Sequence, residues 1–420
     1  MRAPMTRLLV FLYLLAGVAQ QAVAQADQQR AQEYFKEARA LCERDGGRLW
    51  GVSVCAPMVI ADRRTGMIAT SQPAPDEARP RLLGLVNAPI KWGGATWGAY
   101  VWDDVANATP RHRREIFLHE LFHGVQPQLG LMAPARATEH LDGADGRYWV
   151  RLEWRALARA LRESGEQRKL AVRDALAFRQ ARRLLYPASV EDERAQEITE
   201  GLAAYSGTVL AARSAADAIE GALDLLANAE AEESFVRTFA YKSGPAYGLL
   251  LDASSPGWTR RVLGTDDLGT LLMRALAVQP ATDATASANR YGGAEVRASE
   301  AIREQERQER LAELRQRFVD GPVLRIPGGG SGMSNSLGAI VIPDIGTVYF
   351  GPFRASGDWG TLEAEKGVLV ASDGRSRRVP APVRRDDVTF AGDGWTFKAA
   401  AGWVVREGAR RGDYEVVRQP

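Results

Sequence analysis

His119-Glu120-Leu121-Phe122-His123 puts two imidazoles four residues apart, with a carboxylate beside the first. On a helix, positions four apart share a face, so both rings can converge on one ion. Glu120 points off that seam. It can reach a water on the metal and act as general base without being a ligand itself. Two imidazoles plus one carboxylate, with an open fourth position, suit zinc. The chain has four histidines, His112, His119, His123 and His140. Chance would give such a pattern only ~0.005 times in a chain of this make-up.

A third ligand is needed, and the histidines are nearly used up. His112 lies two turns before His119, near the expected helix start, and His140 falls in a loop-like stretch. No further His follows the motif within a few residues, which leaves a carboxylate. Glu200-Gly201-Leu202-Ala203-Ala204-Tyr205 is the best candidate. Ser189 is the expected cap of its helix, with Glu191, Asp192 and Glu193 in the first turn, where the helix dipole favours acids. Gly201 beside the Glu allows two helices to approach closely. Glu197, one turn earlier on nearly the same face, is the alternative ligand.

His119 and His123 followed by a Glu in this E-G-L-A-A-Y context resemble the gluzincins of the peptidase MA-like superfamily, above all the aminopeptidase N-type enzymes. The resemblance implies a zinc metallopeptidase with His119, His123 and Glu200 as ligands and Glu120 as general base. The family also has a Y-x-x-G segment whose Tyr hydrogen-bonds the developing oxyanion. Tyr241-Lys242-Ser243-Gly244 is similar, so Tyr241 is the implied donor, with Tyr247 as a second substrate-side tyrosine. In zincins a substrate commonly lies along an edge strand before the metal helix. Gly98-Ala99-Tyr100-Val101-Trp102 occupies that place, which makes Tyr100 a substrate-binding residue. The resemblance spans roughly residues 95–260. Two departures stand out. The gap of 77 residues from His123 to Glu200 must hold at least two extra helices. No G-x-M-E-N-like stretch precedes the metal helix, so aminopeptidase activity is not implied.

These residues need particular elements around them. Thr109 and Pro110 suit the cap and first position of the metal helix. Ile116, Phe117, Leu118, Leu121, Phe122 and Val125 give it a broad apolar surface, and Pro127 ends it. Before it, 25–109 reads as a helix at Gln29 to Leu41 with strands at Arg48 to Val54, Met58 to Ala61 and Gly94 to Val101. From 110 to 320 the spacing is helical, as in Tyr148 to Ser164, Glu166 to Leu185 and the charged Ser299 to Phe318. Pro327 to Gly332 reads as a flexible linker. Short strands between turns then predict a β-domain over 333–420. The expected class is α+β: a mainly helical zincin-like domain preceded by a small sheet and followed by a small all-β C-terminal domain.

Composition sets the surroundings. Arg2 and Arg7, the apolar run Leu8 to Ala19 and Ala22-Val23-Ala24 read as a signal peptide over 1–24. Of 54 basic residues, all but those two then face 52 acids, so the remaining chain is balanced. That excludes a nucleic-acid partner by charge. No later stretch is apolar enough for stable membrane insertion. Cys42 and Cys55, an even count in an exported chain, suggest one disulfide. The reading is an exported, periplasmic or extracellular hydrolase acting on a polypeptide or peptide. The alternatives are a zinc hydrolase with another substrate, or a cell-envelope binding protein on a helical scaffold. In that last case Trp395 and Trp403 of the C-terminal domain would meet a cell-envelope polymer, although core and turn roles suit both better.

Overall fold

A computed structural model describes residues 27–134, 138–333, 339–386 and 388–419. The signal peptide expected over 1–24 lies outside them. The chain divides into two compact units, one ending at Glu300 and the other starting at Ala301. The class is the expected α+β, with a small sheet, a helical middle and a C-terminal all-β region.

The first unit opens with helix α1 (27–45), which buries Ala31, Phe35, Ala38 and Cys42. Cys42 is bonded to Cys55, with Cα atoms 5.3 Å apart. The strand expected at Arg48 to Val54 does not form. Gly46, Gly47 and Gly51 take positive φ there, and Asp45 accepts from the N–H groups of Gly47 and Leu49, both at 3.0 Å. A local turn thus uses the backbone groups that a ladder would need.

Strands β1 (Met58–Asp62), β2 (Met67–Thr70), β3 (Ala88–Trp92) and β4 (Ala95–Val101) form one sheet in the order β2-β1-β4-β3. β4 runs parallel to β1 and antiparallel to β3. It is therefore an interior strand, and this corrects the expectation that its backbone is free to bind substrate. Trp97, Gly98, Ala99 and Tyr100 are all buried, as in a strand covered on both faces. The edge on this side is β3.

Helices α2 (Trp102–Ala106) and α3 (Pro110–Val125) follow. Thr109 accepts from the His112 N–H, and Pro110 takes the first position. Two long helices, α4 (Ala144–Arg162) and α5 (Gly165–Leu185), fill the gap before Glu200. Then come α6 (Val190–Gln196), a single π-turn at Glu197–Gly201, and α7 (Leu202–Ala211). Ser189 makes no side-chain cap, contrary to expectation. It ends a 3-10 turn that begins at Pro187 and so enters α6 already helical. After α8 (Ala215–Ala229) and α9 (Phe239–Ser254), shorter helices lead to Gly293–Arg315.

The second unit holds six- and seven-stranded sheets that share a core. Phe353, Leu362 and Phe397 of one sheet cluster with Leu324, Val368 and Val379 of the other. It starts earlier than residue 333. Val323–Pro327 lies inside the seven-stranded sheet, paired with Ser376–Pro380, and Ser331–Met333 pairs with Phe353–Gly357. The glycines between them are not a linker. A Cβ on Gly328 would lie 2.1 Å from Gly374 O, and one on Gly330 (φ +78) 2.1 Å from Ser356 O. Trp395 is buried, so it packs as the core residue favoured over a stacking platform.

Candidate metal centre

α3 is held from two sides. Toward the sheet, the Tyr100 ring packs on Phe117 with centroids 4.2 Å apart, and its hydroxyl donates to Phe117 O at 3.0 Å. Toward α7, a Cβ on Gly207 would come within 2.8 Å of Glu115 O, so the two helices touch at the backbone. Trp50 seals this layer, lying 4.7 Å from Phe122 and donating to Ser206 at 2.9 Å.

The π-turn presents Glu200 to the exposed end of this layer. Glu200 Oε2 lies 3.4 Å from His119 Nε2 and 3.3 Å from His123 Nε2, and the two Nε2 atoms are 3.0 Å apart. A tetrahedral zinc with bonds of about 2.0–2.1 Å has ligand-to-ligand edges of about 3.3–3.4 Å. The two edges to Glu200 match such a centre, and the edge between the two Nε2 atoms is shorter by about 0.3 Å. Glu200 Oε2 is also buried without a hydrogen bond of ordinary geometry. A carboxylate oxygen facing two imidazole nitrogens needs a cation between them, a metal or a proton. Among the described residues this is the one cluster of at least three His, Cys, Asp or Glu side chains able to hold a metal.

Glu120 is buried beside the cluster and outside it. Burial pushes its carboxyl pKa up, against the opposing pull of both histidines. Tyr241 stacks on His119, with centroids 5.2 Å apart and planes 13° from parallel. Burial and the nearby Glu200 charge push its phenol up, so it stays a neutral donor. Burial alone would raise the Glu200 carboxyl, but His119, His123 and Tyr241 hold it well below the usual range.

The other predicted residues lie elsewhere. Glu197 is buried in a bidentate pair with Arg179 and lies outside the cluster of His119, His123 and Glu200. Tyr100 and Tyr247 are fully buried, and this corrects their substrate-binding assignment. Tyr100 packs beneath α3, and the Tyr247 hydroxyl donates to Glu153 at 2.7 Å. A buried phenol needs such an acceptor, and each has found one inside the fold. His112 is exposed beside Glu115, and His140 bonds Glu193 at 2.8 Å.

Three features escaped sequence reasoning. The first is the π-turn, a form common at functional sites. The second is a buried ionic network behind it. Arg182 bonds Glu153 and Glu193, and Arg179 joins Glu197 to Asp267. The third is Gln126, whose side chain touches both His123 and the π-turn. The only hint of it in the sequence is a polar residue one turn beyond His123, just before Pro127. The chain matches no protein-family model, no curated protein and no solved structure.

Proposed function

We propose that this chain is a zinc-dependent hydrolase of the gluzincin type, acting on peptides outside the cytoplasm. The observation that carries the reading is the triangle of His119, His123 and Glu200, whose edges suit one small tetrahedral cation. Zinc, when bound, supplies a Lewis acid and brings the pKa of a water down toward about 7. The chain's own residues then have separable tasks. Glu120 takes the proton from the attacking water and returns it to the leaving amine. The neutral Tyr241 hydroxyl donates to the substrate carbonyl oxygen as it gains charge. Losing one such donor typically costs roughly 10²–10³ in rate.

β3 is the edge strand on this side of the sheet, a position where a peptide can add as a further strand. This favours a polypeptide substrate over other hydrolysable groups. The Cys42–Cys55 bond supports an oxidising compartment. Among the described residues no helix is long and apolar enough to cross a membrane.

The test is a cleavage profile of a proteome-derived peptide library, run with chelator and with Glu120→Gln. The expected result is zinc-dependent cleavage by the wild type, with the variant retaining zinc and losing turnover. Hydrolysis by Glu120→Gln at the wild-type rate would overturn the assigned base.

A further inference from the structure

We propose that Gln126 is a positioning residue: one side-chain amide sets the His123 tautomer and anchors the π-turn that carries Glu200. The inference rests on the metal-centre reading above and deepens it.

Gln126 is fully buried at the end of α3. Its Nε2 has three backbone carbonyls within hydrogen-bond distance, Thr199 O at 2.8 Å, Ile198 O at 3.0 Å and Leu131 O at 3.2 Å, so one of its two N–H groups is shared. Three acceptors around one atom fix the amide orientation, because a carbonyl oxygen there would face only other oxygens. The remaining atom, Oε1, lies 2.6 Å from His123 Nδ1. Oε1 can only accept, so Nδ1 must carry the proton. A neutral imidazole with Nδ1–H has its lone pair on Nε2. Nε2 is the atom that faces His119 and Glu200.

The π-turn explains why the same amide is needed on the other side. The Leu202 N–H bonds Glu197 O. In an α-helix it would bond Ile198 O, four residues back. Widening the turn takes that partner away from Ile198 O, and the Gln126 amide fills the place. Thr199 is tied down further, exchanging hydrogen bonds with the Ala133 backbone at 3.0 and 3.2 Å. The two chain segments that supply ligands, 77 residues apart in sequence, are thus joined through one side chain.

The experiment compares wild type, Gln126→Leu, Gln126→Glu and the disulfide-free Cys42→Ser/Cys55→Ser protein. Zinc affinity is read by chelator competition, and the His123 tautomer by imidazole ¹⁵N shifts in metal-free protein at alkaline pH, where the ring is neutral. Removing a side chain that orients a metal ligand typically costs 10–100-fold in affinity. Gln126→Leu is expected to show that loss and to mix the His123 tautomers. The disulfide-free protein, destabilised elsewhere, is expected to stay within about threefold of wild type. Gln126→Glu keeps an acceptor for Nδ1 but sets an oxygen against the three carbonyls, so it should keep the single tautomer and still lose zinc affinity. If the Leu variant does not fold, Gln126→Met, unbranched and of similar volume, takes its place. Zinc affinity of Gln126→Leu within threefold of wild type, or an unchanged tautomer, would overturn the proposal. So would Nε2–H in Gln126→Glu. A wild type that binds no zinc would instead sink the metal reading, and the tautomer comparison would still decide the role of Gln126.

Discussion

Gly244→Ala should damage the metal centre from behind. Gly244 sits in α9 against the π-turn, where an added Cβ would lie 2.3 Å from Gly201 O, 2.4 Å from Gly201 Cα and 2.6 Å from Gly201 C. Carbon atoms in contact prefer separations of roughly 3.5–4.0 Å. The obstacle is backbone, so no side chain can swing aside, and the two segments must part by about 1 Å. Overpacking of this kind costs roughly 1–3 kcal/mol. Better helix propensity returns up to about 1 kcal/mol of it. Gly201 is bonded to Glu200, so the same movement carries the carboxylate off the histidines. Metal sites tolerate only about ±0.2 Å in ligand distance. The expected variant is less stable by about 1–2 kcal/mol in urea unfolding of the metal-free protein and binds zinc at least tenfold more weakly. Gly221→Ala in α8 is the control, since the nearest atom to its Cβ is 3.5 Å away. It should leave both readings unchanged or gain slightly in stability. A Gly244→Ala protein with wild-type stability and zinc affinity would refute the close-contact argument.

Two further predictions separate the neighbouring carboxylates and the network behind them. Glu197→Ala removes the bidentate partner of the buried Arg179 and leaves it Asp267 and Glu153, so it should cost up to the roughly 3–5 kcal/mol of a broken buried pair. Glu200→Ala, at a partly exposed position, should leave metal-free stability within about 1 kcal/mol yet abolish tight zinc binding; parallel unfolding and chelator-competition curves check both. The Glu193 carboxyl would be raised by burial, but Arg182 and His140 hold it well below its usual value. A depressed folded pKa contributes stability above the unfolded value, near 4.5, and loses it as pH falls toward the folded one. Between about pH 4 and 3, Glu193→Gln should therefore flatten stability against pH by up to about 1.4 kcal/mol per unit. An unchanged slope would remove Glu193 from the acid response.

What could be read from the sequence was what local spacing encodes. Four-residue spacing on a capped helix brought His119 and His123 together. The glycine after Glu200 marked a helix contact, which the Gly201 approach to α9 bears out. The gap before Glu200 called for two helices, and α4 and α5 fill it. What could not be read depends on distant partners. Whether a strand is an edge depends on its neighbours, and β4 pairs with β1 some 40 residues earlier. A tyrosine suits a core or a cleft equally, so only the acceptors at Phe117 O and Glu153 place Tyr100 and Tyr247 inside. The π-turn adds one residue to a helical repeat without any propensity signature. The glycine run 328–330 has the composition of a linker, yet its backbone packs tightly between strands. The spacing of α4 and α5 gives no sign of where their charges go. Part of that charge forms the buried ionic network that holds Glu197, three residues before Glu200.

The most direct measurement is zinc titration of metal-stripped protein by calorimetry, followed by X-ray absorption at the zinc edge. One ion per chain should bind, with two imidazoles and a carboxylate oxygen in its coordination shell, and His119→Ala, His123→Ala or Glu200→Ala should each abolish tight binding. Tight binding that survives Glu200→Ala, or a wild type that takes up no zinc, would contradict the account.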